Sequence, residues 1–254
     1  IRLSLVGSEM CIRDRHGTAD MSLTASCPPP AAPSVTRQTD VTGVILAGGE
    51  GRRMGGLDKG LQPLHGQALA RHCATRLAPQ VALLALNANR HLDQYAAWGW
   101  PVWPDARVQA ASPASRPSAP ESRSSEPPPR HDGPLAGLLT ALSHAATPLV
   151  QVAACDTPLF PHDLVATLHR ALHEAEADIA LPCTRDADGR TWQHPTFALL
   201  RTALCPSLQA YLAAGDRQMM RWLASHRHVQ VELPHDAFRN FNTLADLQAY
   251  ADRT

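Results

Sequence analysis

The chain has 254 residues, 44% hydrophobic and 18% charged, which is enough apolar material for one full α/β core. Lys+Arg and Asp+Glu both number 23, so no overall basic field draws the chain to nucleic acid or to an anionic membrane, and any phosphate site must be built locally. The six cysteines, Cys11, Cys27, Cys73, Cys155, Cys183 and Cys205, include no Cys-x-x-Cys pair, which fits reduced thiols in a cytoplasmic protein better than a disulfide framework or a zinc site.

Residues 1–40 carry no sustained apolar period, and the run from Leu3 to Arg15 looks like translated sequencing-adapter read-through. The expectation is a non-native, disordered arm with a natural start at Met21, lacking the apolar stretch of a secretory signal. No later run approaches the roughly 20 apolar residues of a membrane span. One nucleotide-binding domain is therefore expected over 41–254.

The β-branched and apolar run at 41–47 ends directly in glycines and predicts a buried strand. Leu69, Cys73 and Leu77 recur at helical spacing, and residues 81–86 form a second apolar run, which together make a βαβ unit. Residues 106–132 are crowded with Ser and Pro and predict a disordered surface insertion, with a docking segment for a partner as the alternative. Leu135, Leu138, Leu139 and Leu142 line a helix face, a strand follows at 149–154, and Leu164, Leu168 and Leu172 mark another helix. Further strands are expected at 179–181, 196–199 and 229–231. This alternation predicts an α/β fold: a doubly wound, mostly parallel, Rossmann-like sheet with helices on both faces.

The chemistry concentrates where strands end. After the first strand the chain reads Leu46-Ala47-Gly48-Gly49-Glu50-Gly51-Arg52-Arg53-Met54-Gly55-Gly56-Leu57-Asp58-Lys59-Gly60. Glycines let backbone N–H groups approach an anion, and Arg53 and Lys59 supply charge against phosphate oxygens. Neither the dinucleotide fingerprint nor a P-loop is present. A merely flexible glycine loop is the alternative. Cys155-Asp156-Thr157-Pro158 follows the strand at 149–154, placing Asp156 at the carboxyl edge of the sheet. There it is a ligand for Mg²⁺ or, alternatively, a cap for the helix starting near Pro161.

Together with Asn87-Ala88-Asn89-Arg90, Asp132-Gly133-Pro134-Leu135-Ala136-Gly137 and Phe241-Asn242-Thr243, these motifs resemble those of the molybdenum cofactor guanylyltransferases. The resemblance runs from about residue 41 to the C-terminus. Related cytidylyltransferases usually show Ala-Gly where this chain has Gly48-Gly49, which favours guanine. The resemblance implies transfer of GMP from GTP to molybdenum-molybdopterin, with pyrophosphate released. It further implies that Leu46, Ala47, Gly48, Gly49 and Lys59 contact GTP, that Asn87 and Asp105 help hold it, and that Asp156 binds Mg²⁺, with Lys59, Arg53 and Asp156 as the catalytic set. Taken alone, Asn87 and Asp105 are equally turn residues. His194-Pro195-Thr196, Asn240 and Asn242 resemble the part that faces the pterin. Transient contacts with molybdopterin-delivering and molybdoenzyme partners complete the expectation. The alternatives are a cytidylyl or sugar-phosphate nucleotidyltransferase, or a GTP-binding regulatory module.

Overall fold

The computed structural model describes residues 35–49, 56–105 and 133–252, within one contact unit, Val35–Thr254. Arg53, most of the arm and the 106–132 insertion lie outside the described residues.

In chain order the elements are β1 (Gln38–Leu46), β2 (Pro63–Leu64), β3 (Gln67–Ala68), α1 (Leu69–Leu77), β4 (Val81–Asn87), α2 (Leu92–Ala96) and β5 (Val102–Trp103). They continue as α3 (Pro134–His144), β6 (Leu149–Ala154), α4 (Leu164–Glu174), β7 (Ile179–Arg185), β8 (Thr191–Gln193) and β9 (Leu199–Arg201). The last four are α5 (Cys205–Ala213), α6 (Met219–Ala224), β10 (His228–Leu233) and α7 (Leu244–Ala251). The main sheet has the order β10-β7-β9-β6-β1-β4-β5, with β8 paired to β7. β1 runs parallel to both β4 and β6, and β4 to β5, whereas β9 is antiparallel to β6 and β7. The sheet is thus α/β as expected, but mixed where β9 enters it.

Alternation along β1 explains the two-faced core. Val41 and Ile45 pack in one apolar cluster with Leu77 of α1 and Leu164, Leu168 and Leu172 of α4. Val44 packs in the other, with Leu135, Leu138 and Leu142 of α3 and Leu208 and Leu212 of α5. Period two in the strand meets period 3.6 in the helices, so each buried leucine row faces the sheet.

Two boundaries differ from expectation. β1 begins at Gln38, inside the stretch assigned to the arm, because the Arg37 guanidinium donates to the carbonyls of Val81 (2.8 Å) and Ala82 (2.7 Å) and fixes the chain beside β4. The strand expected at 196–199 is instead a 3-10 turn, Pro195–Phe197, followed by β9. Pro195 has no N–H for a ladder, the Phe197 amide bonds back to the His194 carbonyl at 2.9 Å, and the buried Gln151 amide takes the Phe197 carbonyl at 2.7 Å. Among the described residues no helix is long and apolar enough to cross a membrane.

Candidate active site

Register brings four strand ends into one row. Leu46 of β1 pairs with Asn87 of β4 on one side and with Ala154 of β6 on the other, and Asn87 pairs in turn with Trp103 of β5. The loops leaving these strands therefore open on one edge, where α/β sheets bind ligands.

On one side of this edge a polar clamp forms around Asp105. The Asn87 side chain is buried, and its Nδ2 donates to the Trp103 carbonyl (3.0 Å) and to Asp105 Oδ1 (2.8 Å). Asn89 Nδ2 donates to Asp105 Oδ2 at 2.7 Å, and the Asp105 amide donates to Asn89 Oδ1 at 2.8 Å. The structure thus makes Asn87 a brace that aims Asp105, with its donor atom fully engaged. The glycine loop is tied to the same side. The Ala47 amide donates to the Asn87 carbonyl at 2.8 Å. Arg90 spans the loop's two described ends, donating to the carbonyls of Gly49 (3.2 Å) and Gly56 (2.9 Å).

Close approach explains two of the glycines. A Cβ on Gly48 would lie 2.8 Å from Asn89 Nδ2, and one on Gly137 of α3 would strike Asn87 Oδ1 and lie 3.1 Å from Leu46 Cδ2. Gly137→Ala gains about 1 kcal/mol in helix propensity, but overpacking against a buried, hydrogen-bonded amide costs about 1–3 kcal/mol. The expected outcome is a Tm lowered by a few degrees together with a raised KM for nucleotide. Thermal unfolding of the variant checks this, and an unchanged or higher Tm would contradict it.

On the other side a cation sits between oxygens. Lys59 starts a 3-10 turn (Lys59–Leu61) capped by Asp58, whose buried carboxylate accepts from the Gly60 amide (3.1 Å) and the Tyr95 hydroxyl (2.8 Å). Burial, reinforced by Cys155 and Asp58, raises the Tyr95 phenol well above its usual range, so it stays a donor. From this turn Lys59 Nζ reaches Asp156 Oδ2 at 2.6 Å and Asn242 Oδ1 at 3.0 Å. The Thr157 hydroxyl lies 3.0 Å from Asp156 Oδ1 and also contacts Asn240 Oδ1. It carries one proton for these two acceptors.

The C-terminal segment is held in place from both sides. The Phe241 amide donates to the Asp156 carbonyl at 2.9 Å. Asp246 accepts from the amides of Asn242 (3.0 Å) and Thr243 (2.9 Å), and Thr243 caps α7 by accepting from the Asp246 amide at 3.1 Å. Asp156 does not cap α4: the N-cap position of that helix is Asp163, and turn and irregular residues separate it from Asp156. His194 stacks on Phe238 with ring centroids 4.3 Å apart and bonds Thr184 Oγ1 at 2.9 Å, and burial lowers its pKa. Cys155 and Cys73 are buried thiols whose pKa values burial raises first, with neighbouring anionic groups adding to it.

Asp156 Oδ2 and Asn242 Oδ1 therefore converge on a single positive charge from two directions. A lone carboxylate beside a neutral oxygen is a donor set of the kind Mg²⁺ takes, its remaining positions going to phosphate oxygens and water. Of the expected site residues, Leu46, Ala47, Gly48, Gly49 and Asn87 meet Asp105 at one side of the edge, and Lys59 meets Asp156 at the other. Contributors with no role assigned in the sequence include Asn89, Asp58, Thr157, Arg90 and Tyr95. All but Tyr95 stand inside the glycine loop or the runs at 87–90 and 155–158, while a lone tyrosine on a short helix gives no signal.

The MobA-like NTP transferase domain family matches residues 43–231. A molybdenum cofactor guanylyltransferase from Cupriavidus taiwanensis is 45% identical over 215 residues, covering 84% of this chain and 98% of that protein. One from Burkholderia lata is 46% identical over 228 residues, covering 89% of this chain and 100% of that protein. Among solved structures, a molybdopterin-guanine dinucleotide biosynthesis protein A from Archaeoglobus fulgidus superposes with a TM-score of 0.59 at 18% identity, covering 84% of this chain and 97% of that chain. This last likeness is one of fold.

Proposed function

The chain belongs to the MobA-like NTP transferase family, and from that membership we propose that it transfers GMP from GTP to molybdenum-molybdopterin, forming the guanine dinucleotide cofactor and releasing pyrophosphate. The observation that carries the proposal is Lys59 held between Asp156 and Asn242 beside the glycine loop, in a chain about 45% identical over most of its length to proteins named for this activity.

The terminal phosphate of molybdopterin attacks the α-phosphorus of GTP. The bond from that phosphorus to the bridging oxygen breaks, and pyrophosphate leaves with the electron pair. No protein nucleophile is needed, so positioning and charge compensation carry the chemistry. The loop from Leu46 to Gly49 lies against the nucleotide, and Arg90 sets its opening by holding Gly49 and Gly56. Asp105, aimed by Asn87 and Asn89, offers acceptors to guanine or ribose donors. Lys59 turns from Asp156 toward the phosphates, and Arg53 from the loop adds a second positive charge. Asp156, with Asn242 beside it, would hold Mg²⁺, which would supply positive charge against the phosphate oxygens. His194, kept neutral by burial, and Asn240 face the pterin side.

The working location is the cytoplasm, and GTP and molybdenum-molybdopterin are the substrates. Molybdopterin-delivering proteins and molybdoenzymes are transient partners. Nucleotide choice separates this activity from the neighbouring cytidylyl transfer. With Mg²⁺ and molybdenum-loaded molybdopterin, pyrophosphate should be released from GTP and not from CTP. Release from CTP alone would move the chain to the cytidylyl branch, and GTP binding without release would leave only a regulatory role.

A further inference from the structure

A second group of ligand-bearing side chains lies at the other end of β1. Asp40 stands near the start of β1 and Leu46 at its end. Six residues at about 3.3 Å each put them about 20 Å apart, so this group is separate from the nucleotide edge. Asp40 Oδ2 accepts from His169 Nε2 at 3.0 Å. His173 follows one turn later on α4, with its ring centroid 4.4 Å from that of His169. Residues four apart share a helix face, and one ligand atom each from Asp40, His169 and His173 lie within 4.8 Å of one another.

A hydrogen bond explains Asp40 and His169 but leaves His173 unaccounted for. Two imidazoles this close repel when both are protonated. They coexist without cost when both are neutral and share a cation. Two imidazole nitrogens and one carboxylate oxygen suit a borderline divalent ion of the zinc class and not Mg²⁺ or Ca²⁺, which prefer all-oxygen sets. Tetrahedral bonds of about 2.0–2.1 Å place ligand atoms about 3.3 Å apart. The Asp40–His169 pair is already near that spacing, and the exposed His173 ring lies against that of His169, with its ligand atom within 4.8 Å of the other two. The missing Cys-x-x-Cys pair bears only on thiolate zinc sites.

We propose that Asp40, His169 and His173 form a binding site for a zinc-class divalent metal ion, completed by water, which clasps the start of β1 to α4. As the ion takes its place, the proton on Nε2 of the neutral His169 ring moves to Nδ1, which frees Nε2 as a ligand while the imidazole stays neutral. This site is independent of GMP transfer.

The test is calorimetric titration of the full chain with Zn²⁺ in the presence of Mg²⁺, with Co²⁺ as an optical probe. Wild type should bind one equivalent that His173→Ala and Asp40→Asn each weaken about tenfold or more. At a hundredfold excess of Zn²⁺ over Kd, the wild-type Tm should rise by about 5–10 °C, and that rise should be lost in both variants. His173 is exposed and outside the core, so that variant folds and the comparison stands. Equal Zn²⁺ affinity and Tm shift in wild type and His173→Ala would overturn the proposal. So would the thiolate-to-cobalt charge-transfer band of a cysteine site, or no bound equivalent at all.

Discussion

Asp156→Asn lowers kcat by about a thousandfold while leaving the fold intact. The substitution is isosteric. An amide oxygen in place of Oδ2 still accepts from Lys59, now 2.6 Å away, and an amide nitrogen in place of Oδ1 donates to Thr157, whose hydroxyl then turns to Asn240. Every hydrogen bond of the cluster survives with its direction adjusted, and the Phe241 amide still donates to the residue's carbonyl. What is lost is the negative charge. A neutral amide is a poor Mg²⁺ ligand, so phosphate charge in the transition state goes uncompensated. The check pairs turnover with thermal unfolding across a Mg²⁺ titration. Turnover should partly recover at high Mg²⁺ with Tm within a few degrees of wild type. A wild-type rate would remove Asp156 from the site, and a collapsed Tm would make its role structural.

Lys59→Ala raises the KM for GTP about tenfold or more and lowers kcat/KM by about a thousandfold. The ammonium is the only cation among the described residues that bridges Asp156 and Asn242. It is positioned by the Asp58-capped turn and by Gly60, where any Cβ would collide with the Tyr95 hydroxyl. Alanine removes the charge that balances Asp156 and, with it, the proposed contact to phosphate. Arginine at this position should rescue poorly, because a planar guanidinium cannot enter the space that a single ammonium fills between two oxygens. Steady-state kinetics with GTP varied decides the matter, and unchanged constants would place Lys59 in solvent.

Much of the scaffold was legible because burial leaves a period. The buried runs of β1, β4 and β6 and the leucine rows of α3 and α4 stood out, and the rule that ligands bind at strand carboxyl ends then located Leu46, Asn87 and Asp156 on one edge. The misses have physical causes. Phe197 is buried against Phe160 and Phe238, and an apolar residue in a 3-10 turn looks the same in sequence as one in a strand. The inserted β9 is only three residues long, too short to reveal that its direction reverses. Gln38 to Asp40 carry no apolar pattern, and they are held by Arg37 reaching carbonyls more than 40 positions away and by the Asp40–His169 hydrogen bond. The meeting of Lys59 with Asn242 spans 183 positions, and no spacing rule announces it. Asn87 looked like a ligand contact, and only the structure reveals that its amide nitrogen is spent on Trp103 and Asp105.

The proposed transfer of a GMP group is tested most directly by following its phosphorus. With GTP labelled at the α-phosphate, Mg²⁺ and molybdenum-loaded molybdopterin, the label should appear in a pterin dinucleotide in step with one unlabelled pyrophosphate per turnover. Label recovered only as free GMP or GDP, or retained in GTP while the protein binds it, would contradict the account.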